Sequence, residues 1–271
     1  MSKHTQFMRT TSYGLVSPGK KANITGIMGE VLRTPSYCRH VASPMVPVVH
    51  YGVDLKNTVK LLRKMKKDYE ATYGVRKLLP HAQLMVGTVV SYPIPMADLM
   101  KSSDEYTSYT HWIKRNILWA NKEYGSQLHA IVEHRDETHA HLHIIAIACV
   151  KHGILGLHGI HPGIDAERGR KPKERIPAYK RAMKAMQDRY WNIVGLFCGF
   201  LRISDEPAFR LTYKQWKRDK RKKEKANEKE KQSSSTSDGH TGAYPNNAAS
   251  MWAMPRIGDM LRNGPSPHRR T

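Results

Sequence analysis

Two apolar runs constrain this chain more than any other feature: LHAIVEH at 128–134 and HLHIIAIACV at 141–150, joined by only six residues, RDETHA. Both have the length and the Ile/Val content of strands. A six-residue link suits an antiparallel neighbour pair, which brings the two histidine-bearing ends side by side. The two strands therefore set the centre of a sheet and concentrate chemistry at one end of it.

The flanking segments supply the rest of the architecture. Residues 6–16 and QLMVGTVVSYP (83–93) read as further strands, the second ended by prolines at 93 and 95. From Asp54, the residues Leu55, Val59, Leu62, Met65, Tyr69 and Tyr73 recur every three or four positions. Lys60, Arg63, Lys64, Lys66 and Lys67 fall on the opposite face, and Gly74 stands as the cap, so this is an amphipathic helix with a basic outside. Tyr106, Tyr109, Ile113, Ile117, Ala120 and Tyr124 mark a second helix closed by Gly125. A third is expected over 177–197, with a proline in its first turn and a buried stripe of Tyr179, Met183, Met186, Tyr190 and Val194. The Gly- and Pro-rich stretch 26–52 and the Gly- and charge-rich stretch 151–174 are expected to be irregular. The predicted fold is α/β: an antiparallel sheet flanked by helices over residues 1–212. A basic helix or tail follows at 213–232, then a low-complexity linker and terminal segment at 233–271, so the carboxy-terminal part is expected to be partly disordered.

Charge narrows the partners. The chain has 45 Lys and Arg against 23 Asp and Glu, a formal net charge of +22. Such an excess favours nucleic acid first and an anionic membrane surface second. Cys38, Cys149 and Cys198 are too few and too scattered for a disulfide framework or a zinc knuckle. The opening MSKHTQFMRTTSYG has no apolar core of a secretory signal. The longest apolar stretch, WNIVGLFCGFL, is far short of the roughly 20 residues a membrane span needs. A cytoplasmic protein without a membrane span is expected.

The chemistry sits in the hairpin. Alternation along a strand puts His141 and His143 on one face, with Leu142 and Ile144 on the other. Two imidazoles at i and i+2 can reach one divalent ion. A His-x-His pair alone is more simply read as a hydrogen-bonded core pair or as surface decoration. His134 on the neighbouring strand adds a third nitrogen and Glu137 in the turn an oxygen, and these favour the metal. A set of three nitrogens and one carboxylate suits Mn²⁺, Fe²⁺, Co²⁺, Ni²⁺ or Zn²⁺ and suits Mg²⁺ less well. His139, His152, His158 and His161 follow nearby, each more simply read as turn or surface. A metal in a strongly basic protein points to phosphodiester chemistry.

The string HRDETHAHLH, 134–143, resembles the H-x-D-E-x-T-P-H-x-H motif of the MobV/Pre plasmid mobilisation and recombination relaxases, members of the HUH endonucleases. His134, Asp136, Glu137, His141 and His143 match it. Thr138 lies one place early, His139 stands where the family has Thr, and Ala140 stands where it has Pro. The likeness extends weakly over about residues 5–205, including AMQDRYWNIVGLFCGFLR, which is similar to the family's closing helix and terminal strand.

The resemblance implies an HUH-type sheet that nicks and rejoins single-stranded DNA at a mobilisation origin. It further implies one Mn²⁺ (Mg²⁺ as the alternative) held by His134, Glu137, His141 and His143. It places the nucleophile in an H-N-x-R type motif near the amino terminus. On the best alignment Glu30 stands at the histidine and Arg33 at the arginine. Tyr37 and His40 follow in the same loop. Tyr179 lies where replication-initiator relatives carry a tyrosine, although its spacing from Tyr190 also fits a core helix face. His50 falls where the family has a histidine of unassigned role. Two other functions compete: a rolling-circle replication initiator attacking through Tyr179, and a catalytically inactive DNA-binding derivative.

Overall fold

The computed structural model describes residues 4–17, 23–73, 78–79, 81–203, 218 and 221–222. The Gly74 cap, most of the basic segment at 213–232 and all of 233–271 lie outside these residues.

Five strands form one sheet: β1 (Phe7–Gly14), β2 (Val48–Tyr51), β3 (Gln83–Pro95), β4 (Leu128–His134) and β5 (His139–Ile147), in the order β1-β3-β5-β4-β2. Every neighbouring pair is antiparallel. The two segments expected to be adjacent strands are β4 and β5. They occupy inner positions of the sheet, the apolar runs being buried on both faces as their composition requires.

The helices are α1 (Ile24–Val31), α2 (Thr58–Tyr73), α3 (Met96–Leu99), α4 (Ser103–Tyr124), α5 (Pro162–Glu167) and α6 (Pro172–Tyr190). In α4 the Ser102 side chain accepts a hydrogen bond from the Glu105 amide, while Asp104 and Glu105 complement the positive end of the helix dipole. Its inner face brings Tyr109, Trp112 and Trp119 onto the sheet: Tyr109 and Trp112 stack on each other and meet Tyr92 of β3 edge-on, and Trp119 meets Tyr190 of α6 edge-on. Thr88, opposite Ile144 in the β3–β5 register, bonds the Tyr124 hydroxyl at 2.6 Å. The Leu142–Ile144 side of β5 therefore faces α4, and the His141–His143 side faces away from it.

Four readings of the sequence are corrected. Residues 24–31 are a helix, not irregular chain: Asn23 caps α1 by accepting from the Gly26 amide at 2.9 Å, and Ile24, Met28 and Val31 are buried. The 151–174 stretch contains a small hairpin, β6 (Cys149–Lys151) with β7 (Ile154–Gly156), and α5. The third long helix begins at Pro172, so Pro177 lies inside it and Pro172 takes the first turn, where a missing amide proton costs nothing. Of its expected stripe Met186, Tyr190 and Val194 are buried. The chain leaves α6 through a wide turn, Trp191–Gly195, and the strand expected after it is reduced to a single parallel bridge between Thr5 and Leu201.

Candidate metal centre

The β4–β5 register pairs His134 with His141 and Val132 with His143. All three histidines thus share one face at the end where β4 finishes and β5 begins. Ring centroids are 4.6 Å apart for His134–His143 and 5.1 Å for each of the other two pairs. One nitrogen from each ring lies within 4.8 Å of the other two.

Hydrogen bonding decides which nitrogens face inward. His134 Nε2 lies 2.9 Å from the Val31 carbonyl, which can only accept, so the proton sits on Nε2 and the Nδ1 lone pair is free. By the same reasoning His141 donates through Nδ1 to the His139 carbonyl at 3.2 Å, leaving Nε2 free. His134 Nδ1 and His143 Nε2 are buried and have no hydrogen-bond partner among the described residues. A buried polar atom without a partner is costly. Three converging imidazoles with unsatisfied lone pairs are the donor set of a divalent transition-metal ion, so the residues present fit the metal.

Burial holds the His134 and His143 rings neutral. It pushes His134 down to about 4, against the raising effect of its bond to Val31, and His143 well below the ordinary histidine value. The unfolded chain therefore takes up protons below about pH 6.5 that the folded chain refuses. For a folded pKa below the unfolded one, stability is full above the unfolded value and falls as pH drops. Without metal, the His134 contribution should decline between about pH 6.5 and 4 by about 3 kcal/mol. Urea midpoints measured across this range check it; a midpoint unchanged between about pH 7 and 5 would contradict neutral buried rings.

The turn between the strands is organised from the amino-terminal side. Arg33 follows α1 with a left-handed backbone (φ 54°), which turns its side chain toward residues 136 and 137. Its Nε donates to Asp136 Oδ2 at 2.8 Å, and its Nη2 reaches Asp136 Oδ1 at 2.5 Å and Glu137 Oε1 at 2.7 Å. The Arg33 and Asp136 side chains are 3% and 1% exposed. The Met45 amide also donates to Asp136, at 3.0 Å. Glu137 Oε1 then lies 3.8 Å from His141 Nε2 and 3.8 Å from Nε2 of His40, whose side chain is 53% exposed.

Of the residues picked from sequence, His134, His141, His143, Glu137 and Arg33 come together here. Arg33 grips two carboxylates rather than presenting its fork to solvent. Glu30 is half-buried on α1. Tyr37 lies over Gly29, where an added Cβ would stand 2.3 Å from the ring. Tyr179 packs on Gly163 and beside the buried His161, and among the described residues no hydrogen bond or ring contact joins it to the three histidines.

Sequence reasoning missed the network on the other face of β4. Glu133 is fully buried and is bonded by His50 Nε2 at 2.6 Å, by the Tyr109 hydroxyl and by Nε and Nη2 of Arg135, the last at 3.0 Å. Burial alone would raise this carboxyl; the bonds from His50 and Arg135 outweigh it and hold the group at about 2. The signal available was a glutamate on an otherwise apolar strand, which needs a partner.

No family model and no curated protein sequence matches the chain. Solved structures do. The MobM relaxase domain (MOBV; Mob_Pre) bound to 26-nucleotide pMV158 oriT DNA is 12% identical, with a TM-score of 0.47, covering 78% of this chain and 99% of that one. The Mn-bound MobM relaxase domain with 22-nucleotide oriT DNA at pH 5.5 is 15% identical, with a TM-score of 0.49, covering 79% and 98%. The chain is similar to MobV relaxase domains. Among the described residues, no helix is long and apolar enough to cross a membrane.

Proposed function

We propose that the protein is a metal-dependent relaxase that nicks and rejoins single-stranded DNA at the origin of a mobile element. The observation that carries this reading is the inward, unsatisfied set of His134 Nδ1 and His143 Nε2 beside His141 Nε2, in a chain of net charge +22. His134, His141 and His143 would hold the ion, with Glu137 as the neighbouring carboxylate, Mn²⁺ being the expected metal and Mg²⁺ the alternative. Such an ion, when bound, polarises a phosphodiester oxygen and takes up charge in the transition state. The relaxases that the chain is similar to are bound to oriT DNA, and Mn-bound in several structures.

His40 is the attacking group this geometry favours over Glu30, Tyr37 and Tyr179. Its ring is exposed, and Glu137 links it to His141 through two 3.8 Å approaches. Nε2 of His40 forms a bond to phosphorus as the P–O3′ bond breaks and its electron pair leaves with O3′. Solvent protonates the departing oxygen and takes the proton from His40 Nδ1. The strand's 5′-phosphate stays on the imidazole, and attack by a 3′-hydroxyl reverses the step, so the bond energy is conserved for rejoining. Arg33 acts at one remove, as a positioning residue that holds Glu137 between the two histidines.

A covalent-adduct experiment tests this. The full chain is mixed with Mn²⁺ and single-stranded DNA from its own replicon's origin, then denatured, and the DNA-linked residue is mapped. Linkage at His40, lost in His141→Ala, is the expected result. Linkage at Tyr179 would favour the replication initiator, and at Glu30 or Tyr37 another nucleophile of the same enzyme class. DNA binding without any adduct would leave a non-catalytic DNA-binding protein.

A further inference from the structure

Beside the metal centre lies a cavity of about 370 Å³, the size of a small-ligand site. Its walls are Met45, Val46, Met96, Met100 and Tyr106, with Arg135 at its floor beside Glu133. Three features set it apart from a packing defect. Its rim is openly apolar: Val46 is 90% exposed, and Met45 and Met100 are exposed as well. Its floor is polar but closed to cations, because the Glu133 carboxylate is saturated by His50, Tyr109 and Arg135. Arg135 gives Nε and Nη2 to Glu133, and among the described residues its Nη1 has no hydrogen-bond partner, so the pocket offers a donor held in place. A flat ligand with an acceptor edge and a stackable face fits flexible methionines, a tyrosine ring and a fixed guanidinium.

The cavity is also part of the site's own frame. Residues 133–136 line it, and His134 belongs to both the cavity and the histidine set. One wall is tied to the hairpin turn by the Met45 amide bond to Asp136, the other by the Met96 amide bond to the Thr138 carbonyl at 2.9 Å. Whatever fills the cavity is therefore held at a fixed offset from the ion position.

We infer that this pocket receives one unpaired nucleobase of the DNA strand, stacked among Tyr106 and the methionines with its acceptor edge on Arg135, and so sets which phosphate lies over the metal centre. The inference rests on the relaxase reading above and goes beyond it, because it assigns to the pocket the choice of the bond to be cut.

The methionine methyls lining the cavity report on it directly. The full chain, labelled at methionine methyls and with Met45, Met96 and Met100 assigned by leucine substitution, is titrated with four short homopolymeric oligodeoxynucleotides. An abasic phosphodiester chain of equal length is the comparison. At least one base-bearing oligomer should shift the Met96 and Met100 resonances, and the abasic chain should shift neither. Tyr106→Ala should weaken binding of that oligomer about tenfold and leave the abasic chain unaffected. Equal shifts with the abasic chain would overturn the inference, as would silent methyls while the oligomers bind and the origin strand is nicked; in both cases the relaxase reading stands. Absence of oligomer binding, nicking and adduct would remove the relaxase reading and this inference together.

Discussion

Replacing His143 by alanine should abolish Mn²⁺ binding and DNA nicking together. Its Nε2 is buried, neutral and without a protein partner, so the side chain contributes little to the metal-free fold beyond packing. Removing a ligand should weaken metal affinity by more than about a hundredfold, the upper end of what losing a group that merely orients a ligand costs. Titration calorimetry with Mn²⁺ measures the first effect and a nicking assay on origin single strands the second. Near wild-type Mn²⁺ affinity in His143→Ala would remove the three-histidine centre. Glu137→Gln should be milder, since Glu137 is shared between Arg33 and the cluster edge.

The second large effect is on stability. Arg33→Ala should destabilise the fold by about 3–5 kcal/mol, because it leaves Asp136 buried with an uncompensated charge. The pair itself need contribute little: Arg33→Met combined with Asp136→Asn should recover most of the loss, since the one carboxylate left without its partner, Glu137, is partly exposed to water. Arg33→Lys should fall in between, an ammonium being unable to reproduce the forked contacts to two carboxylates. Urea denaturation of the three variants reads all of this. A cost below about 1 kcal/mol for Arg33→Ala would mean that the contact is no better than a surface ion pair.

What could be read from the sequence was local or periodic. The hairpin at 128–147 announced itself by two apolar runs and a short link, and strand alternation alone put His141 and His143 on one face. Helix α4 was legible from its three- and four-residue spacing and the glycine after it. Helix α1 was not: eight residues containing two glycines give no sustained period, and only the Asn23 cap marks its start. Arg33 and Asp136 stand 103 positions apart, and no periodicity connects them. Glu133 illustrates the same limit. Its partners come from β2, α4 and the hairpin turn, so the pocket they border exists only once the chain is folded.

The three histidines that would hold the ion lie within residues 134–143, on a single hairpin, whereas the groups that fix their surroundings come from far upstream: the Val31 carbonyl takes the proton of His134, and the Arg33 fork and the Met45 amide hold the carboxylates of the turn. Capture of the ion and its aim are thus encoded in separate parts of the chain. Changes around residues 31–45 can redirect the turn while the hairpin keeps its grip on the metal, and changes in the hairpin can exchange the metal while the upstream frame stays as it is. In such a site, metal preference and choice of target strand can drift independently.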